Sequence, residues 1–333
     1  MQRNQLRKTL FAALHRGTDA AAQLLPTSLL LSLFGRAVSG LRIALCLHRV
    51  AERRRPTELM PITTASPSEL DKFLHLVRCA RGSEPMGLAM TFDDGYQDAW
   101  EYVRTRAPRH LDVEWLFFIC PEKTLERIGF RWDVCEVHHY GSESSHRVAS
   151  FLNEAPDVDA ENRREDLRRI AAHPAFRLAT REQCLELLAL PNVQLGNHSN
   201  SHLSPVALSV EDLRRDVRRA TSLFQEHFGP QRHFAFPFGT PGVFVRSEQV
   251  QAVHDVTNAV QWSTEGRPYA PEERAPGALL PRFPIDGTKP ARTWMLEIAL
   301  HALRYRMRRA AGASPLLEGT RGRGRVSAAS PAP

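Results

Sequence analysis

The ten residues TFDDGYQDAW (Thr91–Trp100) follow directly on the apolar run GLAM (Gly87–Met90). An uninterrupted apolar stretch that ends abruptly in Asp93 and Asp94 reads as a buried strand running out into a polar turn. Two adjacent carboxylates against an apolar core cost several kcal/mol unless a positive charge compensates them. On a straight strand consecutive side chains point to opposite faces. Both aspartates therefore serve one site only if the backbone bends there, and Gly95 is placed to permit the bend.

Working outward, six further runs share this character: RIALCLH (42–48), EWLFFIC (114–120), VQLGNH (193–198), HFAFPF (233–238), VTNAVQW (256–262) and LLPRFPI (279–285). Most are continuously apolar, the pattern of parallel strands covered on both faces. Helical stretches alternate with them. SPSE at Ser66–Glu69 and TREQ at Thr180–Gln183 read as capping boxes, and Ser209 as the N-cap of a helix ended by Gly229. Leu213, Val217, Ala220 and Phe224 form the apolar stripe of that helix. The alternation predicts an α/β fold, either a barrel of β/α units or an open doubly wound sheet. His48, the two aspartates, His198 and Phe238-Gly239 all fall at the C-terminal ends of predicted strands. In a parallel barrel the active site is built at that end.

Of the 333 residues, 42% are apolar and 24% charged, as in ordinary globular chains. The net charge of +7 is mostly arginine and concentrates in Arg304–Arg325. A basic surface suits anionic partners, including a phospholipid face or a lipid-linked glycan, and nucleic acid is not expected here. Cys46, Cys79, Cys120, Cys135 and Cys184 show no paired spacing and read as free thiols of a reducing compartment. The expected organisation is a helical extension over residues 1–40, a barrel over 41–309 with an insertion at 121–180, and a disordered basic tail over 310–333. The extension is read as lying against the domain or a membrane face. The expected location is cytoplasmic, peripheral to the inner face of the membrane.

HSNSH (His198–His202) places two imidazoles four residues apart. They share a face on a helix and can also converge in a turn after a strand. Two neutral histidines with one carboxylate make a facial ligand set for a divalent metal, with positions left open for water and substrate. Such an ion is the missing positive charge: one of Asp93 and Asp94 ligates it, and the other sits beside it.

TFDDGY, HSNSH and FAFPFG resemble the first three motifs of the polysaccharide deacetylases, carbohydrate esterase family four, with further matches at LHRV, LFFI and PRF. The resemblance runs from about Arg42 to Ile285. It implies a distorted (β/α)7 barrel and metal-dependent removal of an acetyl group from a sugar. Asp93 matches the family's general base, and Asp94, His198 and His202 match its metal triad, usually filled by zinc. Phe236, Pro237 and Phe238 match the groove-lining third motif, and Tyr96 stands where substrate contact is expected.

Three departures qualify the match. The arginine that many relatives carry in the third motif is replaced by Ala235, and Arg282 is the candidate to pair with the base from a neighbouring strand end or to contact substrate. The fourth motif is not evident. The late Leu-x-His motif is echoed only by ALH at Ala299–His301, on a predicted helix. His48 is therefore the better candidate for the acid, and its presence with the missing arginine resembles the exopolysaccharide-modifying branch. His138 and His139, in the insertion, are candidates to line a sugar subsite. The function expected is deacetylation of an N-acetylated sugar in a polysaccharide or its lipid- or nucleotide-linked precursor. The alternatives are an amidase on a non-sugar carbon–nitrogen bond and a catalytically impaired saccharide-binding module.

Overall fold

The computed structural model describes residues 17–52, 63–82, 87–130, 132–133, 167–275 and 277–312. Most of the 121–180 insertion, with Cys135, His138 and His139, lies outside the described residues, as do residues 1–16 and 313–333 of the two expected extensions.

Parallel strands β1 (Arg42–Leu47), β2 (Gly87–Phe92), β3 (Val113–Ile119), β4 (Val193–Asn197), β5 (His233–Ala235) and β6 (Val260–Ser263) pair in sequence order. One further run closes the ring. Its first part, β7 (Leu279–Pro281), pairs with β6, and its second, β8 (Phe283–Pro284), pairs with β1. Arg282 lies between the two parts. The seven apolar runs thus become a (β/α)7 barrel whose last strand is shared between two neighbours. Two runs were read too long. HFAFPF is strand only to Ala235, and VTNAVQW begins as the end of a helix, so β6 starts at Val260.

Side-chain alternation divides each strand between two cores. Ile43, Leu45 and Leu47, with Leu88, Met90 and Phe92, and with Trp115, Phe117 and Ile119, face the helices. Ala44, Ala89, Leu116, Phe118, Ala235, Trp262 and Leu280 fill the barrel. Continuing the inward columns by steps of two reaches Cys46 and His48 from Ala44, Thr91 and Asp93 from Ala89, and Arg282 from Leu280. Asp93 is therefore an inside residue by strand parity alone.

The outer layer comprises α1 (Thr27–Val38), α2 (Pro67–Arg81), α3 (Gln97–Arg106), α4 (Pro121–Glu126), α5 (Arg181–Leu188), α6 (Val210–Phe228), α7 (Ser247–Thr257) and α8 (Ala291–Ala310). Thr180 and Gln183 form the expected reciprocal cap of α5. Ser66 makes only half a box. Its hydroxyl accepts from the Glu69 N–H at 3.4 Å, but the Glu69 carboxylate accepts from the Ala291 N–H at 2.6 Å and so ties α2 to the start of α8. On α6, Ser209 caps the first turn and Leu213, Val217, Ala220 and Phe224 are buried as the stripe requires.

The barrel floor contains one acid-sensitive element. Buried His233 Nδ1 accepts from the Trp262 indole N–H at 3.2 Å, so Nε2 carries the proton and donates to Gln194 Oε1 at 3.0 Å. Burial pushes its pKa from 6.5 down to about 4. The folded state thus refuses a proton that the unfolded state accepts. The associated stability is complete above pH 6.5 and is lost as the pH falls toward 4, a change on the order of 3 kcal/mol. Urea unfolding between pH 7 and 4 should show this loss. In His233→Asn, unfolding should take up one proton fewer across the same window.

Candidate active site

Strand register sets the site's rim. Leu47 and Phe117 both pair with Phe92, and the Asp93 N–H donates to the Leu47 carbonyl at 2.8 Å. Ile119 pairs with Asn197, and the His198 N–H donates to the Ile119 carbonyl at 2.8 Å. Asp93 and His198 therefore each stand one residue past a strand end on one side of the barrel. The chain then bends at Asp94 (φ 72°) and Gly95 (φ 75°). Left-handed backbone is tolerated by aspartate and costs glycine nothing. A side chain at Gly95 would also press on Ile119 Cγ2 at 3.1 Å. The bend sends the two carboxylates to different partners.

Asp93 turns inward and meets Arg282. Oδ1 accepts from Nη1 at 2.6 Å and Oδ2 from Nη2 at 2.9 Å. Nη1 also donates to Thr91 Oγ1 at 2.9 Å, Nε to the Ser263 carbonyl at 3.3 Å, and the guanidinium lies 5.3 Å from the Phe118 ring centre. Burial alone would raise the Asp93 carboxyl. The Arg282 charge, helped by His198, overturns that and holds it well below the usual carboxylate range. Cys46 Sγ points at Oδ2 from 3.5 Å, and burial pushes its thiol well up, so it stays protonated.

Asp94 turns to the histidines. Its Oδ1 lies 2.9 Å from His202 Nε2 and 3.6 Å from His198 Nε2. His198 Nδ1 sits 2.8 Å from the Ala235 carbonyl, which can only accept, so Nδ1 carries the proton and Nε2 presents a lone pair toward Asp94. Burial lowers the His198 pKa to about 4, so the ring is neutral at pH 7. Burial opposes ionisation of Asp94, and His202 outweighs it, leaving that carboxyl below its usual value. The His198–His202 pair converges in a turn, not on a helix, with Ser199 (φ 67°) and His202 (φ 58°) in left-handed backbone.

Asp94 Oδ1 is buried without a hydrogen-bond donor. A buried carboxylate oxygen that faces two ring nitrogens offers a ligand set for a cation. Oxygen–nitrogen separations of 2.9 and 3.6 Å suit bonds of about 2.0–2.2 Å to one shared ion. The residues present fit a divalent metal.

Tyr96, Phe236, Pro237 and Arg282, expected from the sequence to meet substrate, are all buried. Tyr96 donates to Asp133 Oδ1 at 3.0 Å and accepts from the Trp132 indole at 2.9 Å. Phe236 packs with Phe234 and Val245 under α6 and α7. Arg282 stands behind Asp93 in the barrel. Only Phe238 of that set is part-exposed, its ring edge-on to His202 at 5.4 Å. His48 is part-exposed, and a ring nitrogen lies within 4.8 Å of both Cys46 Sγ and a carboxylate oxygen of Asp93. His301 is exposed on α8, where its ring meets Phe283.

The structure adds residues that motif reading missed. Phe130 and Trp132 stack at 4.4 Å and approach His202 at 5.2 and 4.7 Å, so the start of the insertion walls the site. Part-exposed Trp132 faces it beside Phe238. Thr91 and Cys46 were legible by stepping back two residues from Asp93 and from His48. Nothing in the sequence signals that the Ala235 backbone orients His198.

A family model described as polysaccharide deacetylase matches residues 81–257, more than half of the 333. A solved polysaccharide deacetylase from Bacillus cereus is similar over 77% of this chain and 68% of its own, at 10% identity and a TM-score of 0.51. The Streptococcus pyogenes deacetylase PplD, solved in complex with acetate, is similar over 78% and 98%, at 10% identity and a TM-score of 0.50. No curated protein sequence matches the chain. The two structures share the barrel, and the matched span contains Asp93, Asp94, His198, His202 and the third motif. This chain belongs to the polysaccharide deacetylase family and is a hydrolase of carbon–nitrogen bonds.

Proposed function

We propose that the chain removes the acetyl group from an N-acetylated sugar in a polysaccharide or its lipid- or nucleotide-linked precursor, with a divalent metal, zinc first among candidates, as cofactor. One observation carries the reading. A carboxylate kept ionised by Arg282 stands beside a second carboxylate that faces two neutral-capable imidazoles. A structural ion pair does not require the second set, and a bare metal site does not require the first.

Asp94, His198 and His202 would hold the ion, which when bound would supply a Lewis acid that acidifies water and polarises the acetyl carbonyl. The chain's own groups do the rest. Arg282 grips both Asp93 oxygens yet leaves lone pairs on each, so Asp93 accepts the proton of the attacking water. His48, facing the same carboxylate from solvent, passes a proton to the departing amine. Phe238 and Trp132 offer flat apolar surface to the sugar ring. The products are acetate and a free amino sugar.

Acetate release from N-acetylglucosamine oligomers, with metal content measured on the same samples, tests the proposal. Dialysis against a chelator should abolish release, and a divalent ion should restore it. Asp94→Ala should lose the ion and at least about 100-fold in rate, in line with removal of a ligand. Release that survives complete removal of metal from folded protein would refute it.

A further inference from the structure

We propose that α1 and α8 together form a docking face that lays the flank of the barrel on an anionic lipid surface. Eight large apolar side chains are exposed among the described residues, and four of them lie on these two helices: Leu29 on α1, and Leu300, Leu303 and Met307 on α8. Met307 is 65% exposed, Leu29 52%, Leu300 38% and Leu303 36%. The three on α8 are spaced three and four residues apart, one stripe along the helix.

The two helices are held side by side and parallel by arginines. Arg292 donates to the carbonyls of Ala22 (3.0 Å) and Leu25 and to Thr27 Oγ1 (2.9 Å), near the start of α1. Arg306, fourteen residues on, donates to the carbonyls of Ala37 (2.9 Å) and Ser39 at its end. The apolar residues thus sit on a pre-formed two-helix plate.

Charge selects the occupant. Helix α1 carries Arg36 and no acid; α8 carries five arginines and Glu297, with Glu297 paired to Lys289 at 2.5 Å and Arg309 paired to Glu272 at 2.5 Å. The segments continuous with these helices extend the bias. Residues 1–16 contain Arg3, Arg7, Lys8 and Arg16 and no acid; residues 313–333 contain Arg321, Arg323 and Arg325 against Glu318. A second copy of the chain is a poor occupant, because two-fold pairing would set these arginines against one another. An apolar stripe flanked by basic residues is the composition of helices that rest in the headgroup layer of anionic membranes. Among the described residues no single helix is long and apolar enough to cross a bilayer; the helix Gly17–Leu24 and α1 reach that length and composition only as a pair bent by 116°.

The test is sedimentation of the full chain with vesicles of phosphatidylcholine and phosphatidylglycerol (about 3:1) and of phosphatidylcholine alone, a readout independent of catalysis. Partition should be at least about 10-fold stronger on the anionic vesicles and should weaken in high salt. Leu300→Ser/Leu303→Ser/Met307→Ser, with an unchanged thermal melt, should lower it at least about 10-fold. Arg304→Glu, which leaves the apolar stripe in place, should lower it as well. Equal binding to both vesicle types, or a triple variant that partitions like the parent, overturns the proposal. So does a chain that ignores vesicles and sediments as a dimer which the triple variant splits.

Discussion

Arg282→Met is expected to destabilise the folded chain by about 3–5 kcal/mol, measured by urea unfolding at pH 7. The figure follows from the burial of both partners. Arg282 and Asp93 are enclosed, and the fork between them at 2.6 and 2.9 Å compensates two charges that have both left water. Methionine fills much of the volume but leaves the carboxylate without its cation, and Thr91 and the Ser263 carbonyl without the donors they accept from. Burial would then dominate Asp93 and raise its pKa, reversing the depression that Arg282 imposes. The acid limb of the activity profile should accordingly move to higher pH. A double variant, Asp93→Leu/Arg282→Met, removes both charges and should regain most of the stability while remaining inactive. If the single variant is as stable as the parent, the pair does not hold the barrel's centre.

Asp93→Asn should lower the rate of acetate release by about 100- to 10,000-fold, the range for loss of a general base. Bound metal should stay at the parent level, because the proposed ligands are Asp94, His198 and His202 and not Asp93. Asp94→Ala should show the opposite pairing of effects, with metal lost. Since the two residues are sequence neighbours, this contrast tests the left-handed turn that separates them. A rate within tenfold of the parent in Asp93→Asn would remove Asp93 from the role. Stability will also fall in this variant, because Arg282 loses its counter-charge, so rates must be referred to folded protein.

The barrel and its functional rim were largely readable from residue order, because both follow from periodicity. Buried parallel strands need continuous apolar runs, and seven such runs became the ring. Strand ends were less legible where propensity and context diverge. Phe236, Pro237 and Phe238 look like more of β5, yet proline cannot extend a ladder and Phe238 takes a left-handed conformation (φ 55°). The capping box at Ser66 was half right because a long-range acceptor was needed elsewhere: the Ala291 N–H took the Glu69 carboxylate. Arg282 was read both as a partner for Asp93 and as a substrate contact; it lies buried against Asp93, 189 residues away. Tyr96 was placed at the groove by motif position, but its burial depends on Asp133, 37 residues away, and no local pattern announces that distance. Trp132 entered the site unannounced for the same reason.

The broken last strand carries a consequence for how the molecule is made. Asp93 leaves the ribosome 189 residues before Arg282 does. At about 5–20 residues per second, that gap lasts on the order of 10–40 s. Until then the ring between β1 and β6 cannot close and Asp93 can stay hydrated, since Leu279–Pro284 supplies both the counter-charge and the staves that seal the ring. Enclosure of Asp93 and completion of the cylinder are thus a single late event. Chains halted before Leu279 would lack both the closing strands and the cation that compensates Asp93 once it is buried.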